Sequence, residues 1–133
     1  MHVIFGGAFN GKRAYVDKMI EGRKVQWLDG EGDAYDLLPY VEVIVISGVE
    51  HLLESRSKEL LEKIQKWDEQ VEVLVIATEI GRGIVPMDAS MRKLRDDVGR
   101  FYQLLFLKAS RVTRIWYGIS QTIKGDEPIE NLH

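Results

Sequence analysis

The chain has 133 residues, 45% of them hydrophobic and 29% charged, with no cysteine and a formal net charge of -3. This suits one soluble globular domain over 1–133, long enough to take roughly two thirds of its unfolded surface out of water. The missing cysteine excludes disulfides, zinc–thiolate sites and thiol nucleophiles. The mildly acidic balance gives no electrostatic case for nucleic acid or an anionic membrane. No apolar run approaches the roughly 20 residues of a membrane helix, and MHVIFGGAF lacks the pattern of a signal peptide. A cytoplasmic protein is expected.

In chain order, residues 3–5, 41–46 and 71–77 are apolar and β-branched, with weaker runs at 25–28 and 112–117. Nearly continuous apolar runs predict strands buried on both faces of a parallel sheet. A short helix is expected over 11–21, ending at Gly22. Val49, Leu52, Leu53, Leu60, Ile64 and Trp67 fall at helical spacing and predict a helix starting near Val49. Met91, Leu94, Val98, Phe101 and Leu105 mark another helix, in which Gly99 would permit close packing. The stretch DGEGDAYDLLPY over 29–40 reads as a loop. Its Asp29, Glu31, Asp33 and Asp36 lack the spacing of an EF-hand and suit a solvated acidic loop better than a cation site. The tail after Lys124 is polar and expected to fray. Strands alternating with helices imply βαβ units and a mostly parallel α/β sheet.

The first strand runs into GGAFNGKR, residues 6–13. This fits the phosphate-loop pattern G-x-x-x-x-G-K-[ST] at Gly6, Gly11 and Lys12 and departs from it at Arg13. Glycines let backbone N–H groups converge, and the following helix adds its positive end. The predicted nucleotide-binding set is Gly6, Gly7, Ala8, Phe9, Asn10, Gly11, Lys12 and Arg13, with Lys12 reaching the β- and γ-phosphates. The usual hydroxyl would hold Mg²⁺. Guanidinium has donors only, so Arg13 cannot ligate a metal but could pair with a phosphate. The competing reading is a plain Gly-rich strand-to-helix turn.

Further on come TEIGRGIVP (78–86), MRKLRDDVGR (91–100), Gln103 and YGISQTIK (117–124). In this order and spacing they resemble the adenosylcobinamide kinase/adenosylcobinamide-phosphate guanylyltransferase family of cobalamin biosynthesis. That family carries GG-x-x-x-GKS, N-E-V-G-x-G-I-V-P, R-x-F-R-D-x-x-G-x-x-N-Q and G-I-x-x-x-I-K. The resemblance covers the first 20 or so residues and about 70–124. It implies a P-loop, RecA-like three-layer fold and a small homo-oligomer. GTP or ATP would be the substrate, with Mg²⁺, a hydroxyl of cobinamide the phosphoryl acceptor, and a guanylylated histidine the carrier of GMP. Four departures stand out. Arg13 replaces the family's Ser. Ile46 and Ser47 stand where the third strand should end in an acidic residue. Tyr102 replaces the Asn before Gln103. The segment around 29–40 is much shorter than the family's and lacks its acceptor histidine, which argues against guanylyl transfer; the only histidines are His2, His51 and His133.

The expected catalytic residues are Lys12 and Glu79. Glu79 follows the strand at 71–77, where it could hold metal through water or act as a base. The competing reading is a strand-end carboxylate bonding the Gly81–Arg82–Gly83 turn, a loop also shaped by Pro86. Arg82, Arg92 and Arg95 could approach a triphosphate, although an anchoring Arg95–Asp96 ion pair suits the helix better. His51 reads as an ordinary helix residue. Trp67 reads as a helix-end core residue, and Trp116 as packing or an oligomer contact. The leading expectation is a nucleotide-binding protein with kinase-type phosphoryl transfer. The alternative is a catalytically degenerate nucleotide-binding or regulatory protein on the same fold.

Overall fold

The structure, a computed structural model, describes residues 1–32, 36–79 and 88–125. Six strands form one sheet: β1 (His2–Gly6), β2 (Val25–Asp29), β3 (Val43–Ser47), β4 (Glu72–Thr78), β5 (Arg111–Trp116) and β6 (Ile119–Lys124). Their order is β2-β3-β4-β1-β5-β6, with every pairing parallel except β5 with β6. Helix α1 (Lys12–Met19) covers one face; α2 (Glu54–Asp68) and α3 (Ala89–Lys108) cover the other. The apolar runs have the predicted cause. Val3, Ile44, Ile46, Val73 and Val75 point toward α2 and α3, while Ile4, Val43, Val45, Leu74 and Ile76 point toward α1. A strand covered on both sides has no face on which to place polar residues. No described helix is long and apolar enough to cross a membrane.

Three expectations need correction. The helix expected near Val49 begins at Glu54, after a separate 3-10 turn at Val49–His51 and an extended Leu52–Leu53. Gly48 takes a left-handed conformation (φ 70°) and turns the chain sharply out of β3, so Val49 and Leu52 enter the core from outside any α-helix. Strand β6 was not anticipated: it has a neighbour on one side only and stays largely exposed, so its residues show no burial pattern. Gly99 does not serve close packing, since a Cβ there would meet nothing within 4 Å.

The anchoring ion pair of α3 also lies one residue away from expectation. Asp97, not Asp96, is buried, and it pairs with Arg100 and with Lys93 (3.3 Å). It also accepts from the Glu54 backbone N–H at the start of α2, whose N-cap Leu53 offers no side-chain acceptor. One carboxylate thereby caps a neighbouring helix and joins α2 to α3. Burial raises its pKa, but the Lys93 and Arg100 charges and these hydrogen bonds pull harder, and the group ends below the ordinary carboxylate range.

At the opposite end of β1, His2 is buried with Nε2 2.7 Å from Thr113 Oγ1. Burial, then the Arg111 charge, lowers its pKa from 6.5 to about 4, against a smaller opposing pull from Glu72. Between these values the unfolded chain binds a proton that the folded one refuses, so stability rises with pH through this window. The slope contributed is at most about 1.4 kcal/mol per pH unit. Urea unfolding at several pH values should show it, and His2→Gln, which keeps a polar partner for Thr113, should remove it. An unchanged slope in the variant would assign the acid sensitivity elsewhere.

Candidate functional site

Residues 6–13 lie at the C-terminal end of β1, where ligands of parallel sheets collect. Gly6 closes the strand. Gly11, left-handed at φ 95°, starts α1, where no side chain caps the helix. Lys12 is the first residue of α1 and only 7% exposed. Its ammonium turns back over the loop and donates to the Gly7 carbonyl at 2.5 Å. Burial lowers the Lys12 pKa, and the negative charge of Glu50 partly offsets this. Phosphate oxygens can take over the Gly7 bond as charge-assisted ones. Phe9 stands fully exposed on the loop with a left-handed backbone (φ 62°) that a bulky residue rarely adopts.

The loop is braced from two sides. The Gly6 carbonyl accepts from the Glu79 N–H at 2.8 Å, and the Asn10 carbonyl from the Gly118 N–H at 2.9 Å. Gly118 and Tyr117 form the β5–β6 turn, both with positive φ, as a two-residue hairpin turn of primed type requires. A Cβ on Gly11 would press against the Gly118 backbone. The YG of YGISQTIK therefore acts on the loop through its backbone.

An open cleft of about 620 Å³ runs beside the loop, lined by Phe9, Gly11, Lys12, Arg13, Asp17 and Ser47. Ser47 comes from the end of β3, whose last apolar residue, Ile46, is fully buried. Arg13 is not turned to the loop. Its guanidinium lies 3.8 Å above the Trp27 ring, and its Nε is 3.4 Å from Asp17.

Glu79 is exposed at the end of β4, and its side chain borders a cavity of about 430 Å³ with Phe5, Phe106, Val112 and Arg114. Tyr102, in place of the family's Asn, is buried against Phe5 and donates its hydroxyl to the Thr78 carbonyl at 2.7 Å. It ties α3 to the end of β4 and fixes where Glu79 starts. Arg92 and Arg95 are exposed on α3, far along the chain from the loop. Gly81, Arg82, Gly83, Pro86, Asp33 and His133 lie outside the described residues. His51 is exposed on the 3-10 turn, Trp67 is buried at the end of α2, and Trp116 is 57% exposed beside Tyr117. Asp29 accepts from the Glu31 N–H at 3.0 Å, a local turn.

Sequence reading missed Glu50. It follows Ser47 by three residues, in the turn that packs on β4 and α3. Its Oε2 is buried with no hydrogen-bond partner among the described residues. The signal available was Gly48, whose left-handed turn breaks the helix expected near Val49 and sets Glu50 in a separate 3-10 turn.

The family model described as cobinamide kinase / cobinamide phosphate guanyltransferase matches residues 32–123. Curated proteins gave no match. The matched span begins after the loop at 6–13, so the loop geometry and the family match are separate observations. It covers well over half of the 133 residues, and the chain belongs to the cobinamide kinase / cobinamide phosphate guanyltransferase family.

Proposed function

We propose that this protein binds GTP or ATP over residues 6–13 and transfers the terminal phosphoryl group to a hydroxyl of a cobinamide-type acceptor. The observation that carries this reading is Lys12, a buried ammonium at the first turn of α1, folded over a glycine loop at the C-terminal end of the sheet. Phosphoryl transfer is mostly positioning and charge neutralisation, and such a lysine supplies both. In the step, the acceptor oxygen bonds to the γ-phosphorus as the β–γ bridge breaks. The nucleoside diphosphate leaves, and the hydroxyl proton passes to a base. Glu79 is our choice for that base: its backbone is bonded to Gly6, and its side chain borders a largely apolar cavity able to receive part of the acceptor.

Mg²⁺ would enter with the nucleotide and neutralise phosphate charge. The chain offers it no hydroxyl at Arg13, and no cluster of three ligating side chains occurs among the described residues. A magnesium held mainly by phosphate oxygens and a single carboxylate still fits the open cleft. Guanylyl transfer has less support: His2 is buried at the far end of the sheet and His51 is exposed. A homo-oligomer is supported by the apolar outer edge of β6, where Ile119 and Ile123 are exposed beside Trp116 and Tyr117.

A second reading, nucleotide binding without catalysis, is favoured by one observation: Arg13 is engaged with Trp27 and Asp17 rather than the loop. Phosphorus NMR on cobinamide with GTP or ATP and Mg²⁺ separates the two. The first reading expects a new phosphomonoester signal that grows with nucleoside diphosphate. Nucleotide binding by calorimetry without any such signal supports the second.

A further inference from the structure

A buried carboxylate oxygen without a donor is costly, and native structures keep few of them. Glu50 Oε2 is one, and its position gives it a use. The 3-10 turn carries it past the end of β3, and Ser47 of that strand lines the cleft together with Lys12. That turn packs on β4 and α3, and the Glu50 charge acts on both Lys12 and the buried Tyr102. A merely structural partner for Lys12 would take the ammonium's hydrogen bond. Lys12 gives that bond to the Gly7 carbonyl instead. Glu50 thus acts on Lys12 through its charge, and the lone pairs of its buried Oε2 are taken up by no donor among the described residues. An oxygen-seeking divalent cation is the chemical match for such a group.

We infer that Glu50 is the carboxylate that binds Mg²⁺, directly or through a metal-bound water, against phosphates seated on residues 6–13. This rests on the nucleotide-binding reading above. The 3-10 turn therefore delivers, from three residues downstream, the acidic group that Ile46 and Ser47 lack. Arg13 is then free to stay on Trp27, because no metal ligand is required from that position.

The test uses the imido analogues of GTP and ATP, with and without Mg²⁺, on the full-length chain. Calorimetry on the wild type should show Mg²⁺ tightening binding by about tenfold or more, and Glu50→Gln should cut that to about twofold. Without Mg²⁺, the variant should bind as well as the wild type or better, because a negative charge beside the phosphates is gone. If Glu50 only balances Lys12, the variant loses metal-free affinity and keeps the full Mg²⁺ effect, and the inference falls. A wild type that binds nucleotide with no Mg²⁺ effect overturns it as well, while the nucleotide reading survives. A wild type that binds neither analogue overturns both. Should Glu50→Gln not fold, electron–nuclear double resonance of Mn²⁺ with nucleotide decides the matter. It would use protein carrying carboxyl-¹³C glutamate, with Glu79→Gln removing the other candidate. A ¹³C coupling supports Glu50 as the ligand, and its absence overturns the assignment.

Discussion

Lys12→Ala should weaken GTP and ATP binding by at least about a hundredfold. The ammonium is nearly buried and already held over the loop by Gly7. Little side-chain entropy remains to be lost when a phosphate arrives, so most of the interaction appears as affinity. Two charge-assisted hydrogen bonds at about 1.5 kcal/mol each amount to about two decades in Kd. Partial exclusion of water strengthens the Coulomb attraction further. Lys12→Met separates charge from packing, because it keeps the aliphatic stem against the core. Both variants should melt within a few degrees of the wild type, and both should lose nucleotide in calorimetry. Retained affinity in either would move the ligand away from this loop.

The placement of the candidate loop after β1 could be read from the sequence, for a definite reason. The loop depends on glycine spacing and one lysine, and those requirements are local. Strands β1, β3 and β4 were legible because burial on both faces writes itself as an unbroken apolar run. What escaped depends on tertiary placement. Strand β6 pairs only with β5 and stays exposed, so hydropathy says nothing about it. Asp96 and Asp97 are chemically identical neighbours, and only the approach of α2 decides which of them is buried. Glu50 was hidden by helical spacing: Val49, Leu52 and Leu60 fit one stripe, yet Gly48 and the extended Leu52–Leu53 break that helix in two. The carboxylate then turns inward instead of lying on a solvated face. Tyr102, the departure from the family's Asn, has a polar task that no sequence pattern shows, the bond from its hydroxyl to the Thr78 carbonyl.

Gly6→Ala should damage stability and binding together, in contrast to the lysine variants. Gly6 is buried at the last register position of β1, opposite Thr78 of β4. On its other side, an added Cβ would run into the backbone carbonyl of Ile115 in β5, far inside van der Waals contact. Overpacking against side chains typically costs about 1–3 kcal/mol. Here the obstruction is a backbone carbonyl on a strand already paired with β6, so no flexible side-chain end can yield, and the cost should reach about 3 kcal/mol or more. Relief requires β1 and β5 to splay at the loop end. That would carry the β5–β6 turn away from the loop and break the Gly118–Asn10 bond. Urea unfolding should therefore show a lower midpoint for Gly6→Ala, and calorimetry a loss of nucleotide affinity in whatever protein remains folded. Gly99→Ala is the matched control: it sits inside α3 with open space around its missing Cβ, and alanine there should stabilise by about 0.5–1 kcal/mol through helix propensity alone. Opposite signs from the same substitution follow from backbone surroundings. A Gly6→Ala protein as stable as the wild type would mean that the loop does not begin packed against β5, and the bracing of the site through the β5–β6 turn would have to be abandoned.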